Sequence, residues 1–186
     1  LVNSLYLDTP ALNSFAANVA GVSRRQKLRL RWYGESDERV ENPMLELKFK
    51  ENTVGGKRRE RLDWTWEGKR PYPTLLRQLR RAAGAKWAGW LSGATEATLL
   101  NRYAREYYVS LDGQLRMTLD YQLRAFDQRL SGRANRRRGL LLPATAIIEV
   151  KAPQNEAARL QAAMAFFPLP RLRNSKYANG VLAALG

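Results

Sequence analysis

A chain of 186 residues, 45% of them hydrophobic, suits one domain spanning 1–186 with a buried core and leaves little room for two. Lys and Arg number 32 against 17 Asp and Glu, and the resulting formal charge of +15 concentrates anions at the surface without choosing among nucleic acid, acidic lipid and polyphosphate. With no Cys and no His, disulfides, thiol nucleophiles, zinc sites on those ligands and imidazole bases are excluded, so a metal would be a hard cation on carboxylate oxygen, Mg²⁺ or Mn²⁺.

The chain opens on Leu1-Val2-Asn3-Ser4-Leu5-Tyr6, which has no charged leader and starts as though in mid-strand, so upstream sequence is expected rather than a signal peptide. Leu5-Tyr6-Leu7 reads as a strand. Thr9 as N-cap and Pro10 in the first turn predict a helix from there to about Ala20, stopped by Gly21. Period-two segments follow. In Lys27-Leu28-Arg29-Leu30-Arg31-Trp32 every odd position is basic and every even one apolar, and in 45–50 Glu46, Lys48 and Lys50 share the polar side. A loop through Gly55-Gly56 then leads to a strand predicted over 59–66, with Arg61, Asp63 and Thr65 opposing Leu62, Trp64 and Trp66, and the two strands are expected to form a hairpin.

Residues 73–92 have a helical pattern, with Leu75, Leu76, Leu79, Ala82 and Ala83 on one side. Strands are predicted at 103–109 and 115–121, the second with Arg116, Thr118 and Asp120 on one face. An exposed loop carries Arg133 and Arg136-Arg137-Arg138 at 131–139, and a strand at 146–151 is polar at Glu149 and Lys151. Helices near 155–166 and 174–185 close the chain. The longest apolar run, around 140–150, is broken by Pro143 and falls short of the roughly 20 residues that span a bilayer. A cytoplasmic protein is therefore expected, reaching a membrane only through a partner.

Two architectures fit this alternation. One is an antiparallel sheet with a single wet side. The other turns the charged faces inward. Lining a cavity with Lys27, Arg29, Arg31, Lys48, Lys50, Arg61 and Arg116 requires a counter-charge, which a polyphosphate provides in a form that Arg forks match.

Eight motifs decide between them. In order, they are Ser4-Leu5-Tyr6-Leu7-Asp8-Thr9-Pro10, Lys27-Leu28-Arg29-Leu30-Arg31-Trp32-Tyr33-Gly34, Leu45-Glu46-Leu47-Lys48 and Arg58-Arg59-Glu60-Arg61, then Arg102-Tyr103-Ala104-Arg105-Glu106-Tyr107-Tyr108, Leu115-Arg116-Met117-Thr118-Leu119-Asp120, Ile148-Glu149-Val150-Lys151 and Ser175-Lys176-Tyr177. The series resembles the VTC domain, the polyphosphate polymerase branch of the triphosphate tunnel metalloenzymes. The resemblance implies an α+β fold, an antiparallel β-tunnel flanked by helices. It implies a metal-dependent polymerase that moves the terminal phosphate of ATP or another nucleoside triphosphate onto polyphosphate. Hydrolysis of triphosphate or polyphosphate, or binding without turnover, are the alternatives.

By the same resemblance Arg29, Arg31, Lys48, Arg61, Arg105 and Arg116 look like phosphate clamps, Lys176 like the lysine of the last helix that closes on the phosphates, and Glu149 like the ligand for Mn²⁺ or Mg²⁺. Lys27, Lys50, Arg59 and Lys151 are supporting phosphate contacts. Glu46 is a second metal candidate, or else a partner for Lys or Arg across the sheet. Tyr103 offers its hydroxyl to phosphate or packs. Members of the family carry a further strand with a Glu-x-Lys-type motif ahead of the Tyr-Leu-Asp-Thr-Pro segment. This sequence has none, so either that strand lies outside it or the tunnel is open on one side. A specific nucleic-acid site is not expected, because Trp32, Trp64 and Trp66 fall on apolar faces, and Gly55-Gly56-Lys57 lacks the earlier glycine of a P-loop.

Overall fold

The computed structural model describes every residue except Asp37, Thr53, Ala144 and residues 168–171, and the side chain of Gln154. Its strands are β1 (Val2–Asp8), β2 (Arg25–Tyr33), β3 (Arg39–Glu41), β4 (Met44–Glu51), β5 (Val54–Arg61), β6 (Thr65–Glu67), β7 (Glu96–Val109), β8 (Arg116–Asp127) and β9 (Ile147–Lys151). Seven of them form one antiparallel sheet in the order β5-β4-β2-β1-β7-β8-β9, and β3 and β6 pair as a separate ribbon.

The period-two pattern gives this sheet two chemically distinct faces. Leu28, Leu30, Leu45 and Leu47 point to the convex side, where they pack with Leu75, Leu76 and Leu79 of α2 (Tyr72–Ala83) and with Trp87 and Leu91. Each such leucine contributes about 1.5–3 kcal/mol by leaving water, so the core lies outside the curl of the sheet. The cross-strand register places Arg29 opposite both Tyr6 and Glu46, Lys27 opposite Lys48, Arg105 opposite Asp120, and Thr118 opposite Glu149, all on the concave side. Residues of the two edge strands β5 and β9 line one and the same cavity, which shows that the sheet curls into a half-barrel around it.

Helix α5 (Lys176–Leu185) lies across one end of the concavity. Its Tyr177 stacks on Tyr6 with ring centroids 4.7 Å apart, and Val181 joins Leu99 and Ala125 in a second apolar cluster. Gly180 makes this approach possible, since a Cβ there would sit 2.4 Å from Leu99 Cδ2. Asp8, 1% exposed, ties the end together. It accepts from the backbone N–H of Ser14 (2.9 Å) and Phe15 (3.0 Å) at the start of α1 (Asn13–Val19), and from the Tyr177 hydroxyl (2.6 Å). Asp8→Ala removes a helix cap and leaves a buried phenol without its acceptor, so a loss of about 2 kcal/mol, roughly 4–8 °C in melting temperature, is expected in a thermal melt.

Several elements depart from expectation. The first helix starts at Asn13, because Asp8 from the strand end, rather than Thr9, caps most of its first turn. The strand predicted over 59–66 is two strands. Gly55-Gly56 belongs to β5, where Gly56 lies under the ring of Phe49 with no room for a Cβ, while Thr65 leaves for the ribbon. The β4–β5 hairpin holds, with Asn52 at positive φ just after β4. The helix over 73–92 is broken at Gly84 into α2, a 3₁₀ turn (Ala85–Trp87) and α3 (Ala88–Gly93). β7 and β8 are longer than predicted. α4 (Ala157–Ala165) has no buried residue. Among the described residues no helix is long and apolar enough to cross a membrane.

Candidate functional site

Several recesses open from the described residues of the sheet and α5. The central cavity, of about 440 Å³, is bounded by strands from both halves of the sheet. Six Lys or Arg side chains line it (Arg31, Lys57, Arg59, Arg105, Arg116 and Lys151), against two glutamates, Glu46 and Glu149. Such an excess repels itself in a partly desolvated space and makes the cavity a site for an anion.

Glu46 is the counter-ion of one half. It is 3% exposed and sits among Arg29 (Nη2 to Oε2 2.6 Å), Arg31 (3.4 Å) and Lys57 (2.8 Å). Burial alone would raise its pKa, but Arg29, Arg31 and Lys57 outweigh it and hold the carboxyl down at about 2. Arg29 also donates to the Tyr6 hydroxyl (3.1 Å), and Arg31 to Ser4 Oγ (3.2 Å) and the Tyr103 hydroxyl (3.3 Å). Burial works against the Arg29 charge, yet Tyr6 and Glu46 more than offset it, so its pKa is raised. Burial pushes the Tyr103 phenol up to about 12 against its Arg neighbours, so it stays a neutral hydroxyl at physiological pH.

Asp120 plays the same part in the other half. It is 1% exposed, takes Arg105 in a two-pronged bond (2.5 and 2.7 Å), and holds Lys176 from α5 at 2.5 Å. Burial opposes its charge, but the bonds from Arg105 and Lys176 prevail and lower its pKa. The Lys176 ammonium and the Arg105 guanidinium both lie over the Tyr103 ring, at 4.8 and 5.3 Å. Two acids thus fix five cations at set positions before any ligand arrives.

The second recess, about 570 Å³, lies at the other end beside the start of α5. Arg25, Lys27, Lys48, Lys50 and Arg173 line it, with no acid among its described lining residues. Burial, then Lys48, Arg25 and Arg29, push the Lys27 ammonium down to about 8. Its Nζ donates to Ser175 Oγ, the N-cap of α5, at 2.8 Å.

The structure therefore brings Arg31, Arg59, Arg105, Arg116, Lys151, Glu46 and Glu149 around one cavity, with Arg29 and Lys176 in the layer beneath it. Lys27, Lys48 and Lys50 stand together in the second recess. Arg61 lines a separate recess of about 390 Å³ with Arg31 and Arg39. Glu149 is paired with Lys151 at 3.0 Å; burial resists its charge, while Lys151, then Lys48 and Arg105, lower its pKa, so the carboxylate feels both halves of the curl. Sequence reasoning missed three members. Lys57 was hidden in a segment read as loop, although extending the 45–50 register across the hairpin reveals it. Asp120 was placed on the right face without a role. Tyr6 left no signal, because β1 is buried at every position.

Among curated proteins no relative matches the chain. The family model of the VTC domain matches residues 1–185, and the protein belongs to the VTC domain family, a family associated with polyphosphate.

Proposed function

We propose that the concavity is the active site of a polyphosphate polymerase, which transfers the terminal phosphoryl group of a nucleoside triphosphate to the end of a polyphosphate chain. The observation that carries this reading is the central cavity with six cations against two acids, sharing its sheet face with a recess of five further cations. One recess for a donor triphosphate and one for a growing chain suit a transfer between two phosphate compounds.

In that reaction a terminal oxygen of the chain attacks the γ-phosphorus. The bond from that phosphorus to the β,γ-bridging oxygen breaks, and a nucleoside diphosphate leaves with the electron pair. The acceptor is already an anion, so no protein base is needed, in keeping with a chain that has no His or Cys. Positioning and charge neutralisation carry such transfers. Arg31, Arg59 and Arg116 would hold phosphate oxygens by paired N–H donors. Arg105 and Lys176, fixed by Asp120, would meet the charge that gathers on the bridging oxygen. Glu46 would remain the counter-ion of Arg29, Arg31 and Lys57, and we assign it no metal.

The family implies a metal, and the residues fit one at Glu149. No three acidic side chains come together among the described residues, and Glu46 and Asp120 are enclosed by cations. Glu149 is instead partnered across β8 and β9 by Thr118, whose hydroxyl is buried without a hydrogen-bond partner. One carboxylate and a hydroxyl, completed by phosphate oxygens and water, is an ordinary donor set for Mg²⁺ or Mn²⁺. When bound there, such an ion would supply positive charge against the phosphates.

Incubation of the purified protein with ATP and Mn²⁺ tests the reading. Polymer on a gel supports it, free phosphate alone makes the protein a hydrolase, and neither product with retained tripolyphosphate binding makes it a binding module. Lys27 supplies an independent check. Free, it loses its proton around pH 8 rather than 10.5; a phosphate beside it restores the ordinary preference for the charged form. Binding therefore takes up as much as about one proton between pH 8 and 10 and almost none at pH 6.5. Calorimetry in two buffers of different ionisation enthalpy measures this, and Lys27→Arg removes it.

A further inference from the structure

The third recess is of a different chemical kind. It holds about 230 Å³ and lies on the β7–β8 side of α5, sharing Asn174 and Asn179 with the basic recess. Leu123 of β8, with Leu142 and Pro143 beyond it, gives it an apolar wall, Asn101 of β7 and Asn174 and Asn179 around α5 bring amides, and Arg102 and Arg124 of β7 and β8 line it as well. Lys176 and Tyr103 complete the wall nearest the central cavity, so the Arg105–Asp120–Lys176 layer borders both spaces. No acid is among its described lining residues; of its arginines, Arg102 donates to Asn3 Oδ1 (2.8 Å) and Arg124 is exposed.

Asn101 is 4% exposed and spends its amide N–H on the Lys176 carbonyl at 2.9 Å. Its Oδ1 has no hydrogen-bond partner. Leaving such an acceptor buried and unsatisfied is costly. Arg102 and Lys176 are already bonded to Asn3 and Asp120, so the apolar wall, the asparagine amides and the exposed Arg124 remain; they suit a flat ring with hydrogen-bonding edges, on whose face a guanidinium can stack, whereas a phosphate chain has the five-cation recess beside it. At 230 Å³ the recess is below the roughly 300 Å³ at which sites for whole drug-sized ligands begin, which matches one ring system better than an entire nucleotide.

We propose that this recess is a nucleobase subsite, holding the base of a nucleoside triphosphate whose phosphates lie in the cationic cavity. The proposal rests on the phosphate-binding reading above and adds to it a reason for preferring a nucleotide to a bare phosphate chain. Leu123 and a proline supply the apolar contact, Asn101 Oδ1 accepts from a ring amino group, and Asn174 and Asn179 meet the remaining edge.

The test compares ATP with tripolyphosphate by calorimetry. Tripolyphosphate carries more negative charge, so electrostatics alone favours it in a cationic tunnel. With a base subsite the order inverts, and ATP binds at least about tenfold tighter. Leu123→Trp fills the recess and brings ATP down to the affinity of tripolyphosphate, which itself stays unchanged. Thr145→Trp, at an exposed position that lines this recess and not the basic one, removes part of the ATP preference and serves if Leu123→Trp disturbs folding. The proposal is overturned if ATP binds no tighter than tripolyphosphate, or if the variants that fold shift the two ligands equally or not at all. If the wild-type protein binds no tripolyphosphate, the phosphate-tunnel reading falls first and the subsite falls with it.

Discussion

Glu46→Gln lowers the melting temperature by about 6–12 °C, and tripolyphosphate restores most of the loss. The substitution leaves Arg29, Arg31 and Lys57 packed together without their common counter-ion. Breaking a buried ion pair from one side costs about 3–5 kcal/mol, and the Gln amide still accepts hydrogen bonds, so the lower end applies. In a domain of this size about 3 kcal/mol corresponds to the shift given. Phosphate oxygens then supply the missing charge, so the ligand stabilises the variant more than the wild type and binds it more tightly. A variant that melts within 2 °C of wild type would mean that water already screens these cations. A variant that melts early but gains nothing from tripolyphosphate would mean that the cluster does not face the ligand.

Glu149→Gln reduces metal-dependent turnover by about 100-fold or more and leaves tripolyphosphate affinity unchanged or improved. The change removes a negative charge from an anion site, which helps phosphate, and removes a carboxylate that forms an ion pair with Lys151 alone, where Glu46 has three such partners and Asp120 two, which harms a metal. Manganese affinity, read by paramagnetic resonance, falls in parallel; Thr118→Val lowers it less. Arg31→Ala behaves in the opposite way, weakening tripolyphosphate first, because a paired donor is lost. Full metal-dependent activity in Glu149→Gln would reduce Glu149 to the ion-pair partner of Lys151 seen at 3.0 Å.

The faces of the sheet were legible in the sequence because alternation is local. Lys27, Arg29 and Arg31 had to share a side whatever else the chain did, as did Glu46, Lys48 and Lys50. The direction of curl was not local, since an open sheet with one wet face has the same pattern; ordered motifs along the whole chain resolved it. Three kinds of information stayed hidden. Gly56 looked like a turn residue, and only the Phe49 ring above it explains a glycine within a strand. Tyr6 sits in a strand buried on both faces, where periodicity says nothing about function. The division of the acids between counter-ion and metal candidate depends on which cations surround each carboxylate: Glu46 and Glu149 look alike in sequence, yet the first is enclosed by three cations and the second stands beside an unpartnered hydroxyl.

β5 and β9 face one another across the cavity without pairing. A cylinder closed all round by hydrogen bonds can be filled only end-on, so a polymer must be threaded from a terminus and dragged along its length. A cylinder slit down one side can be loaded broadside, at any point on a long strand, and emptied the same way. On the reading proposed above, an edge left unpaired admits a phosphate ring without ends as readily as a linear molecule of equal charge, whereas a further strand seated between β5 and β9 restricts entry to molecules with free tips, and binding of cyclic against linear triphosphate tells the two apart.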